Sequence, residues 1–465
     1  MTEPLWTSAQ IESIVAGRSA GAPFVASGVS IDSRTLEPGD LFVALTETRD
    51  GHAFAPAAFA AGATGALSER PIDGPCIVVA DTLDALGALA RAARDRASRA
   101  SRGAVTGSVG KTSVTQAVKA GLARAGAAHG SVKSYNNHIG VPLTLARMPA
   151  ETRRAIFEIG MNHAGEIAPL SAMVRPHAVA ITNVEAVHTE NFADGEAGVA
   201  AAKAEIFTGL EAGGVAVLNG DNRWFGELQA RAAGAGAAVR SFGAAQTCDA
   251  RLVRFSPQGA GARIEAIVDG AQIDFPVAQT AAHWGPMSLC VLLMLEALDV
   301  DRTTALAALA EFAPLEGRGA ERRIALAGGE IVLVDESYNA NPVSVAAALQ
   351  TLGRRPVAGR RIVALTDMLE LGDQGPGDHA GLAAPIEAAR IDLVFCAGPL
   401  MESLWKALPP TRRGGYARTA AELSPYLARA VEPGDVVMVK GSRDSQARLL
   451  AQAIADLAAA SRGGV

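Results

Sequence analysis

The stretch Gly103-Ala-Val-Thr-Gly-Ser-Val-Gly-Lys-Thr-Ser113 decides the fold of this chain. It begins as a short apolar run typical of a buried strand and continues into a pattern typical of a helix. Glycines at such a junction let backbone N–H groups surround phosphate oxygens, and the helix N-terminus adds partial positive charge. The sequence therefore predicts a nucleotide phosphate site, whose ligands are expected to be Gly107, Ser108, Gly110, Lys111, Thr112 and Ser113.

The loop is a shortened variant of the usual phosphate-binding pattern. That pattern places a glycine five residues before Gly110, where this chain has Val105. The alternative is a glycine-rich turn with an incidental lysine. The order Gly-Lys-Thr-Ser between a strand and a helix favours ATP or GTP binding, with Lys111 on the β- and γ-phosphates and Thr112 on magnesium.

Apolar runs on both sides of the loop predict an α/β fold with three domains. We expect a small N-terminal α/β domain at 1–85, a central parallel sheet of the P-loop ATPase type at 86–313, and a C-terminal Rossmann-like doubly wound sheet at 314–465. The segment 243–277 is more β-like and predicts an antiparallel flank. The strands expected in the central and C-terminal domains are 103–107, 155–159, 178–182, 214–218, 330–335, 361–365, 392–396 and 435–439.

Composition narrows the class of protein. The formal charge of −6 is mixed along the chain, so no basic stripe indicates a nucleic-acid partner. The four cysteines are far apart and read as reduced core residues. The start of the chain lacks a signal-peptide pattern, and the apolar run near 287–295 is shorter than the roughly 18 residues of a membrane span. We expect a cytoplasmic protein, and a monomer because no heptad pattern appears.

Three further residues are candidates for a magnesium–nucleotide site. Glu158 ends an apolar run, where a carboxylate would lie near the γ-phosphate, and the alternative is an edge-strand charge. His188 follows the run that ends at Thr182, and the alternative is a solvent-facing loop histidine. Lys203 alone reads as a solvated helix lysine. Two polar clusters, 134–140 and 335–342, also lie at strand-to-helix junctions, where doubly wound sheets bind ligands.

Together these residues resemble the Mur ligases of peptidoglycan synthesis. The matching motifs occur in the family's order over nearly the whole chain. They are Asp32-Ser-Arg34, Asp50-Gly-His-Ala-Phe54, Thr106–Ser113, Asn136-Asn-His-Ile-Gly-Val-Pro142, Glu158-Ile-Gly-Met-Asn-His163, Thr182-Asn-Val-Glu-Ala-Val-His188, Ala201-Ala-Lys-Ala-Glu-Ile-Phe207, Leu315-Glu-Gly-Arg318, Asp335-Glu-Ser-Tyr-Asn-Ala-Asn-Pro342, Asp367-Met-Leu-Glu-Leu-Gly372 and Lys440-Gly-Ser-Arg443. The motif that begins at Asp335 looks like that of the dipeptide-adding member of the family.

The resemblance implies an ATP-dependent ligase that joins UDP-N-acetylmuramoyl-tripeptide to D-alanyl-D-alanine through an acyl phosphate. It implies that the first domain holds the UDP-linked substrate and that the central domain binds ATP and two Mg²⁺ ions. Thr112, Glu158, His188 and a carbamate on Lys203 would serve the metals, and Lys111 would act with them in catalysis. The remaining implied contacts are Ser33, Arg34, Asn136 and Asn137 for the UDP-linked substrate, Arg318 and Asp335 for the nucleotide, and Tyr338, Asn339 and Asn341 for the dipeptide, with Lys440 and Ser442 as weaker candidates.

Two questions stay open at this point. His188 is both a candidate metal ligand and a candidate base for the incoming amine. The family usually has a second asparagine in a His-Asn-x-x-Asn run that helps bind adenine, but this chain has Met287 there. Stacking on Trp284, backbone groups, or a changed helix start at Pro286 are the alternatives.

Each alternative function requires a different sequence motif or a different activity. Within the same chemistry the alternatives are a tripeptide-forming Mur ligase and a folylpolyglutamate synthase-like enzyme, and the Asp32-Ser-Arg34 segment argues against the second. A GTPase switch requires an Asn-Lys-x-Asp motif, which the sequence lacks. A catalytically silent scaffold with a relic nucleotide site would release no phosphate in the presence of both substrates.

Overall fold

A computed structural model of the chain describes residues 4–47, 49–132, 134–185, 191–259 and 261–460. These residues form two compact units. The first contains the chain up to Val184, Ala200–Arg251 and Ser288–Ala308, and the second contains Glu185–Val199, Leu252–Met287 and Leu309–Val465.

The N-terminal part of the first unit is a small α/β structure. Its elements are β1 (Trp6–Thr7), α1 (Ser8–Val15), β2 (Arg18–Ala20), β3 (Val25–Ala26), β4 (Gly28–Ser30), β5 (Asp40–Val43), α2 (Ala55–Ala60), β6 (Gly65–Ser68), β7 (Cys76–Val78) and α3 (Thr82–Arg96). Strands β4 to β7 are parallel in the five-stranded sheet order β2-β7-β6-β5-β4, and β2 is antiparallel at its edge. Leu86 and Leu89 of α3 are buried in the core of this sheet, so the predicted boundary at residue 85 falls inside a helix.

The central sheet carries the phosphate loop. Its elements, together with the strands and helices that follow it up to residue 311, are β8 (Ser101–Thr106), α4 (Lys111–Arg124), β9 (Ala128–Gly130), α5 (Gly140–Ala146), β10 (Arg154–Glu158), α6 (Ile167–Val174), β11 (Ala178–Ile181), α7 (Glu196–Ala204), β12 (Val215–Asn219), α8 (Phe225–Gly234), β13 (Ala238–Gly243), β14 (Ala250–Gln258), β15 (Gly261–Val268), β16 (Ala271–Val277), α9 (Trp284–Ala297) and α10 (Arg302–Glu311). Strands β9-β10-β8-β11-β12-β13 are parallel in that order, which places β8 between β10 and β11. The carboxyl ends of β8 and β10 therefore meet, because Glu158 pairs with Val105.

The second unit contains a six-stranded sheet. Its elements are β17 (Ala320–Leu326), β18 (Gly329–Glu336), α11 (Pro342–Arg354), β19 (Arg361–Thr366), α12 (Gly375–Gly381), α13 (Ala383–Ala388), β20 (Leu393–Ala397), α14 (Met401–Ala407), β21 (Arg413–Ala417), α15 (Ala420–Ala430), β22 (Val436–Lys440), α16 (Arg448–Ala455) and α17 (Leu457–Ala460). The order is β17-β18-β22-β19-β20-β21, and only the β17–β18 pair is antiparallel among the described strands of this sheet.

Helices cover both faces of this second sheet, as expected of a doubly wound fold. Val363 and Leu365 of β19 pack with α11, α13 and α14, whereas Ile362 and Ala364 pack with α15 and α16. This alternation follows from the two-residue period of a strand. The predicted α/β class is confirmed, and β15 and β16 form the expected antiparallel flank. The three predicted domain boundaries stay a prediction.

Candidate active site

The phosphate loop has the geometry that the sequence predicts. Strand β8 ends at Thr106, and helix α4 begins at Lys111. Between them Gly107 has a φ of +147° and Gly110 a φ of +85°, which other residues adopt only with strain. The Nζ of Lys111 donates a 2.5 Å hydrogen bond to the Gly107 carbonyl oxygen, so the ammonium lies over the loop. Gly107, Ser108, Gly110, Lys111, Thr112 and Ser113 thus form one continuous turn at a helix N-terminus.

Thr182 fastens the loop from the neighbouring strand. The Thr182 Oγ1 donates to the Val109 carbonyl oxygen at 2.6 Å, and the Ser108 N–H donates to the Asn183 carbonyl oxygen at 2.8 Å. A Cβ at position 107 would lie 1.9 Å from Thr182 Oγ1, so this close approach also requires glycine. Thr182 was not predicted as a site residue, although it begins the motif Thr182–His188 and places a hydroxyl directly after an apolar strand.

Glu158 lies beside the loop at the end of β10, with 1% of its surface exposed. Its Oε1 accepts a 2.7 Å hydrogen bond from Asn136 Nδ2, and its backbone N–H donates to Ser131 Oγ at 3.2 Å. Among the described residues none hydrogen-bonds to Glu158 Oε2, although that atom is buried. A buried carboxylate oxygen without a partner is costly, and a bound cation would satisfy it. Glu158 therefore fits the predicted role of a magnesium ligand.

Lys203 is a buried lysine of α7, with 3% of its surface exposed. Burial, together with the positive charge of Lys111, holds the pKa of Lys203 well below its usual range. Within the described part of the chain no carboxylate pairs with its ammonium. A neutral lysine amine reacts with carbon dioxide, so this environment fits the predicted carbamate. The reading of Lys203 as a solvated helix lysine is wrong for this structure.

Predicted ligand His188 lies outside the described residues. The described part of the chain has no cluster of three or more histidine, cysteine, aspartate or glutamate side chains able to hold a metal ion. A magnesium site beside Glu158 would also use the hydroxyl oxygen of Thr112 and the carbamate oxygens of a modified Lys203. Thr112 is buried in the first turn of α4.

The two predicted substrate residues of the 134–140 loop have different surroundings. Asn136 holds Glu158, as described above. Asn137 is exposed, and its Oδ1 accepts hydrogen bonds from the backbone N–H groups of Ile139 at 3.3 Å and Gly140 at 2.9 Å. Asn137 therefore fixes the backbone that leads into α5.

Ser33 and Arg34 lie in the loop after β4. The guanidinium of Arg34 makes two hydrogen bonds to Asp32, of 2.9 and 2.7 Å, while 85% of its side chain stays exposed. This pair fixes the direction of the cation and leaves it accessible to an anionic group. Ser33 beside it is partly buried. Both stay predicted contacts of the UDP-linked substrate.

The C-terminal candidates surround the end of β18. Asp335 is buried there, accepts a 3.1 Å hydrogen bond from the Ser337 N–H, and lies 3.8 Å from Arg322. The Arg318 guanidinium lies 4.0 Å from the centre of the Tyr338 ring, a cation–π contact. Arg322 was not predicted from the sequence, because its approach to Asp335 depends on the antiparallel pairing of β17 with β18.

The remaining C-terminal candidates make structural contacts within the loop after β18 or to it from the end of β22. The Asn339 Oδ1 accepts from the Ala340 N–H, and Asn341 caps α11 by exchanging hydrogen bonds with Ser344. Lys440 is buried, and its Nζ donates to Glu336 Oε2 at 3.2 Å and the Asn339 carbonyl oxygen at 3.1 Å. The Ser442 Oγ accepts from the Leu369 N–H and donates to the Ala340 carbonyl oxygen, so it joins two loops at the sheet edge.

The segment expected to hold adenine is well packed. Helix α9 begins at Trp284, so Pro286 lies in its first turn, where proline is tolerated. Trp284 is 4% exposed, and its ring centre lies 5.7 Å from that of Phe312. Because the Trp284 ring is buried in the protein, it has little surface on which a base could stack. This argues against Trp284 as the group that replaces the usual asparagine at Met287 in binding adenine.

The fold and the site define a class of protein: an α/β nucleotide-binding protein with a phosphate loop and a buried carboxylate beside it. Comparison with protein families agrees. Residues 105–293 match the Mur ligase middle domain, and residues 322–443 match the domain described as Mur ligase, glutamate ligase domain. The UDP-N-acetylmuramoyl-tripeptide--D-alanyl-D-alanine ligase of Escherichia coli strain K12 is 33% identical over 94% of this chain and 96% of its own length.

Solved structures give the same result. A crystal structure of MurF from Acinetobacter baumannii has a TM-score of 0.86 at 27% identity, covering 98% of this chain and 99% of its own. The MurF ligase of Thermotoga maritima, solved in complex with ADP, has the same fold, with a TM-score of 0.76 at 21% identity over 93% of this chain and 98% of its own. The chain belongs to the Mur ligase family. No helix among its described residues is long and apolar enough to cross a membrane.

Proposed function

We propose that this chain adds D-alanyl-D-alanine to UDP-N-acetylmuramoyl-tripeptide with ATP as the energy source. Relatives that align along almost the whole chain carry the name of this ligase. The geometric observation that carries the proposal is the buried Glu158 beside the phosphate loop, whose Oε2 has no partner among the described residues. A site of this kind serves phosphoryl transfer, which is the first step of the proposed reaction.

The phosphate loop would hold ATP in the first step. The loop N–H groups and the N-terminus of α4 face the phosphates, and Lys111 offsets negative charge on the β- and γ-phosphates. The terminal carboxylate of the tripeptide attacks the γ-phosphorus, the bond to ADP breaks, and an acyl phosphate forms. Thr112, Glu158 and a carbamate on Lys203 would hold Mg²⁺, which reduces the repulsion between the two anions. Cations and fixed dipoles thus bring two negatively charged reactants together.

The amine of D-alanyl-D-alanine then attacks the acyl carbon. A tetrahedral intermediate forms and expels phosphate, which keeps the oxygen that came from the carboxylate. The amine must be neutral and must lose a proton, and His188 is the candidate base that the sequence supplies. Around the dipeptide we place Tyr338, Asn339 and Asn341, and for the nucleotide we place Arg318 and Asp335. The packing of Arg318 on Tyr338 supports this grouping.

The carbamate on Lys203 is part of the proposal. Burial lowers the pKa of Lys203, which keeps the amine neutral and reactive toward carbon dioxide. Carbamylation adds carbon dioxide to the neutral amine and releases a proton, so it places an anion next to Lys111 and creates a metal ligand. A cytoplasmic location and a monomeric state also remain proposals, and sedimentation of the purified chain tests the second.

The test is ATP consumption by the purified chain with the UDP-linked tripeptide, with and without D-alanyl-D-alanine. We expect phosphate release only with both substrates, and a product heavier by one dipeptide unit. Lys111→Ala is expected to abolish release. Reaction of the UDP-linked dipeptide with a single amino acid would instead identify the tripeptide-forming member of the family. Absence of phosphate release with any of these pairs would support the scaffold alternative.

A further inference from the structure

The carboxylate of Glu158 is held by a neighbouring loop whose position depends on a glycine. The backbone N–H of Gly160 donates a 2.8 Å hydrogen bond to the Asn136 carbonyl oxygen. The Asn136 side chain lies across Gly160, since a Cβ at position 160 would lie 2.9 Å from Asn136 Cγ and 3.0 Å from each of its two terminal amide atoms. From this position Nδ2 reaches Glu158 Oε1 at 2.7 Å. We call Asn136, Gly160 and Glu158 the amide clamp.

The clamp leaves the two oxygens of Glu158 in different states. Oε1 is occupied by the Asn136 amide, and Oε2 is buried without a hydrogen-bond partner among the described residues. The two oxygens of a carboxylate are equivalent, so a half-turn only exchanges their roles, whereas smaller rotations would break the Asn136 hydrogen bond. The backbone of Glu158 is fixed as well, because its N–H donates to the buried Ser131 Oγ. One oxygen is therefore presented at a fixed position beside the phosphate loop.

We propose that Asn136 is a positioning residue for the metal, which orients Glu158 from its seat on Gly160 and does not bind the UDP-linked substrate. The proposal rests on the proposed function, because it assumes that Glu158 Oε2 is a Mg²⁺ ligand. It replaces the substrate-contact role that the sequence suggested for Asn136. It also gives a reason for glycine at position 160: any side chain there displaces the amide from Glu158.

Metal affinity measured without the UDP-linked substrate separates these roles. Mn²⁺ prefers the same oxygen ligands as Mg²⁺, and its binding to the protein with ADP is followed by electron paramagnetic resonance. Loss of a group that orients a metal ligand typically weakens metal binding by roughly 10- to 100-fold. We expect Asn136→Ala to weaken Mn²⁺ binding by that factor. His138→Ala changes an exposed residue of the same loop that contacts Glu47, so it is expected to leave Mn²⁺ affinity unchanged.

Gly160→Ala provides an independent test, because it alters neither partner of the hydrogen bond. It is expected to weaken Mn²⁺ binding in the otherwise unchanged protein. The atoms that its methyl group would meet are Cγ, Nδ2 and Oδ1 of Asn136, all of which Asn136→Ala removes. In that background Gly160→Ala is therefore expected to have no further effect, so the two substitutions will be strongly non-additive. Thermal unfolding of each variant identifies any general loss of folding.

Three outcomes would distinguish the failures. If Asn136→Ala raises the KM for the UDP-linked substrate and leaves Mn²⁺ affinity unchanged, the positioning role is overturned and the substrate-contact role is supported. If the effects of the two substitutions on Mn²⁺ affinity add, the clamp is overturned. If the unaltered protein binds no Mn²⁺ with ADP and releases no phosphate with both substrates, the proposed function itself fails.

Discussion

Replacing Thr182 with valine removes the hydroxyl that fastens the phosphate loop while keeping the side-chain shape. The lost bond is the 2.6 Å contact from Thr182 Oγ1 to the Val109 carbonyl oxygen. A hydrogen bond of this kind contributes about 0.5–1.5 kcal/mol net. If the nucleotide must order the loop in place of this hydrogen bond, the binding free energy of ADP becomes less favourable by the same amount. The dissociation constant for ADP is therefore expected to rise by about 2- to 13-fold, since about 1.4 kcal/mol corresponds to a factor of ten.

Isothermal titration calorimetry of ADP at saturating Mg²⁺ measures this change. Thr182→Ser is the matched control, because it keeps the hydroxyl and is expected to bind ADP within about twofold of the unaltered protein, a difference below the expected loss. Thermal unfolding checks that the valine variant is folded. Unchanged ADP affinity in Thr182→Val, or an equal loss in Thr182→Ser, would refute the assignment of loop closure to this hydroxyl.

Three further predictions follow from single side chains. Burial lowers the pKa of His129 from 6.5 to about 4. As the pH falls from 6.5 to about 4, this histidine is protonated in the unfolded chain before it is protonated in the folded protein. The free energy of unfolding is therefore expected to fall by up to about 3 kcal/mol over this range. His129→Gln keeps a donor for the Thr144 carbonyl oxygen but does not titrate. Denaturant unfolding of this variant is expected to show a smaller loss of stability at low pH than the unaltered protein shows. The same pH dependence in both proteins would contradict this account. Lys203→Ala is expected to abolish phosphate release. Added acetate supplies a carboxylate in place of the carbamate, so it is expected to restore part of the activity. No recovery at any acetate concentration would argue against the carbamate. Asn341→Ala removes the cap of α11 and is expected to lower the free energy of unfolding by about 0.5–2 kcal/mol. Asn341→Ser keeps the cap, so it is expected to raise only the KM for the dipeptide if the Asn341 amide contacts that substrate. Equal stability of the two variants would contradict the capping role.

The sequence was sufficient for features set by local pattern. The phosphate loop lies between a strand and a helix as predicted, because the motif itself specifies that backbone, although the strand spans Ser101–Thr106 and not 103–107. Glu158 lies at the end of β10, as expected of a carboxylate at the end of an apolar run. In both cases the signal is local, whereas the pairing of β10 with β8 that brings Glu158 beside Val105 is not.

Contacts between distant segments were not predictable in the same way. The hydrogen bond from the Asn136 amide to Glu158, 22 residues later in the chain, was not predicted, and the substrate contact implied for Asn136 stays a prediction. Thr182 reaches the loop because β11 pairs with β8, which no local pattern encodes. Asn341 is different, because the run Asn341-Pro-Val-Ser344 is a capping signal that could have been recognised from the sequence.

The central claim is that the tripeptide carboxylate is phosphorylated before the amine attacks. Tripeptide labelled with ¹⁸O in its terminal carboxylate tests this directly. The account predicts that one labelled oxygen appears in each released phosphate, measured by mass spectrometry, and that the other stays in the new amide of a product one dipeptide unit heavier. Phosphate without ¹⁸O, released as fast as the heavier product forms, would contradict the acyl phosphate and the mechanism built on it.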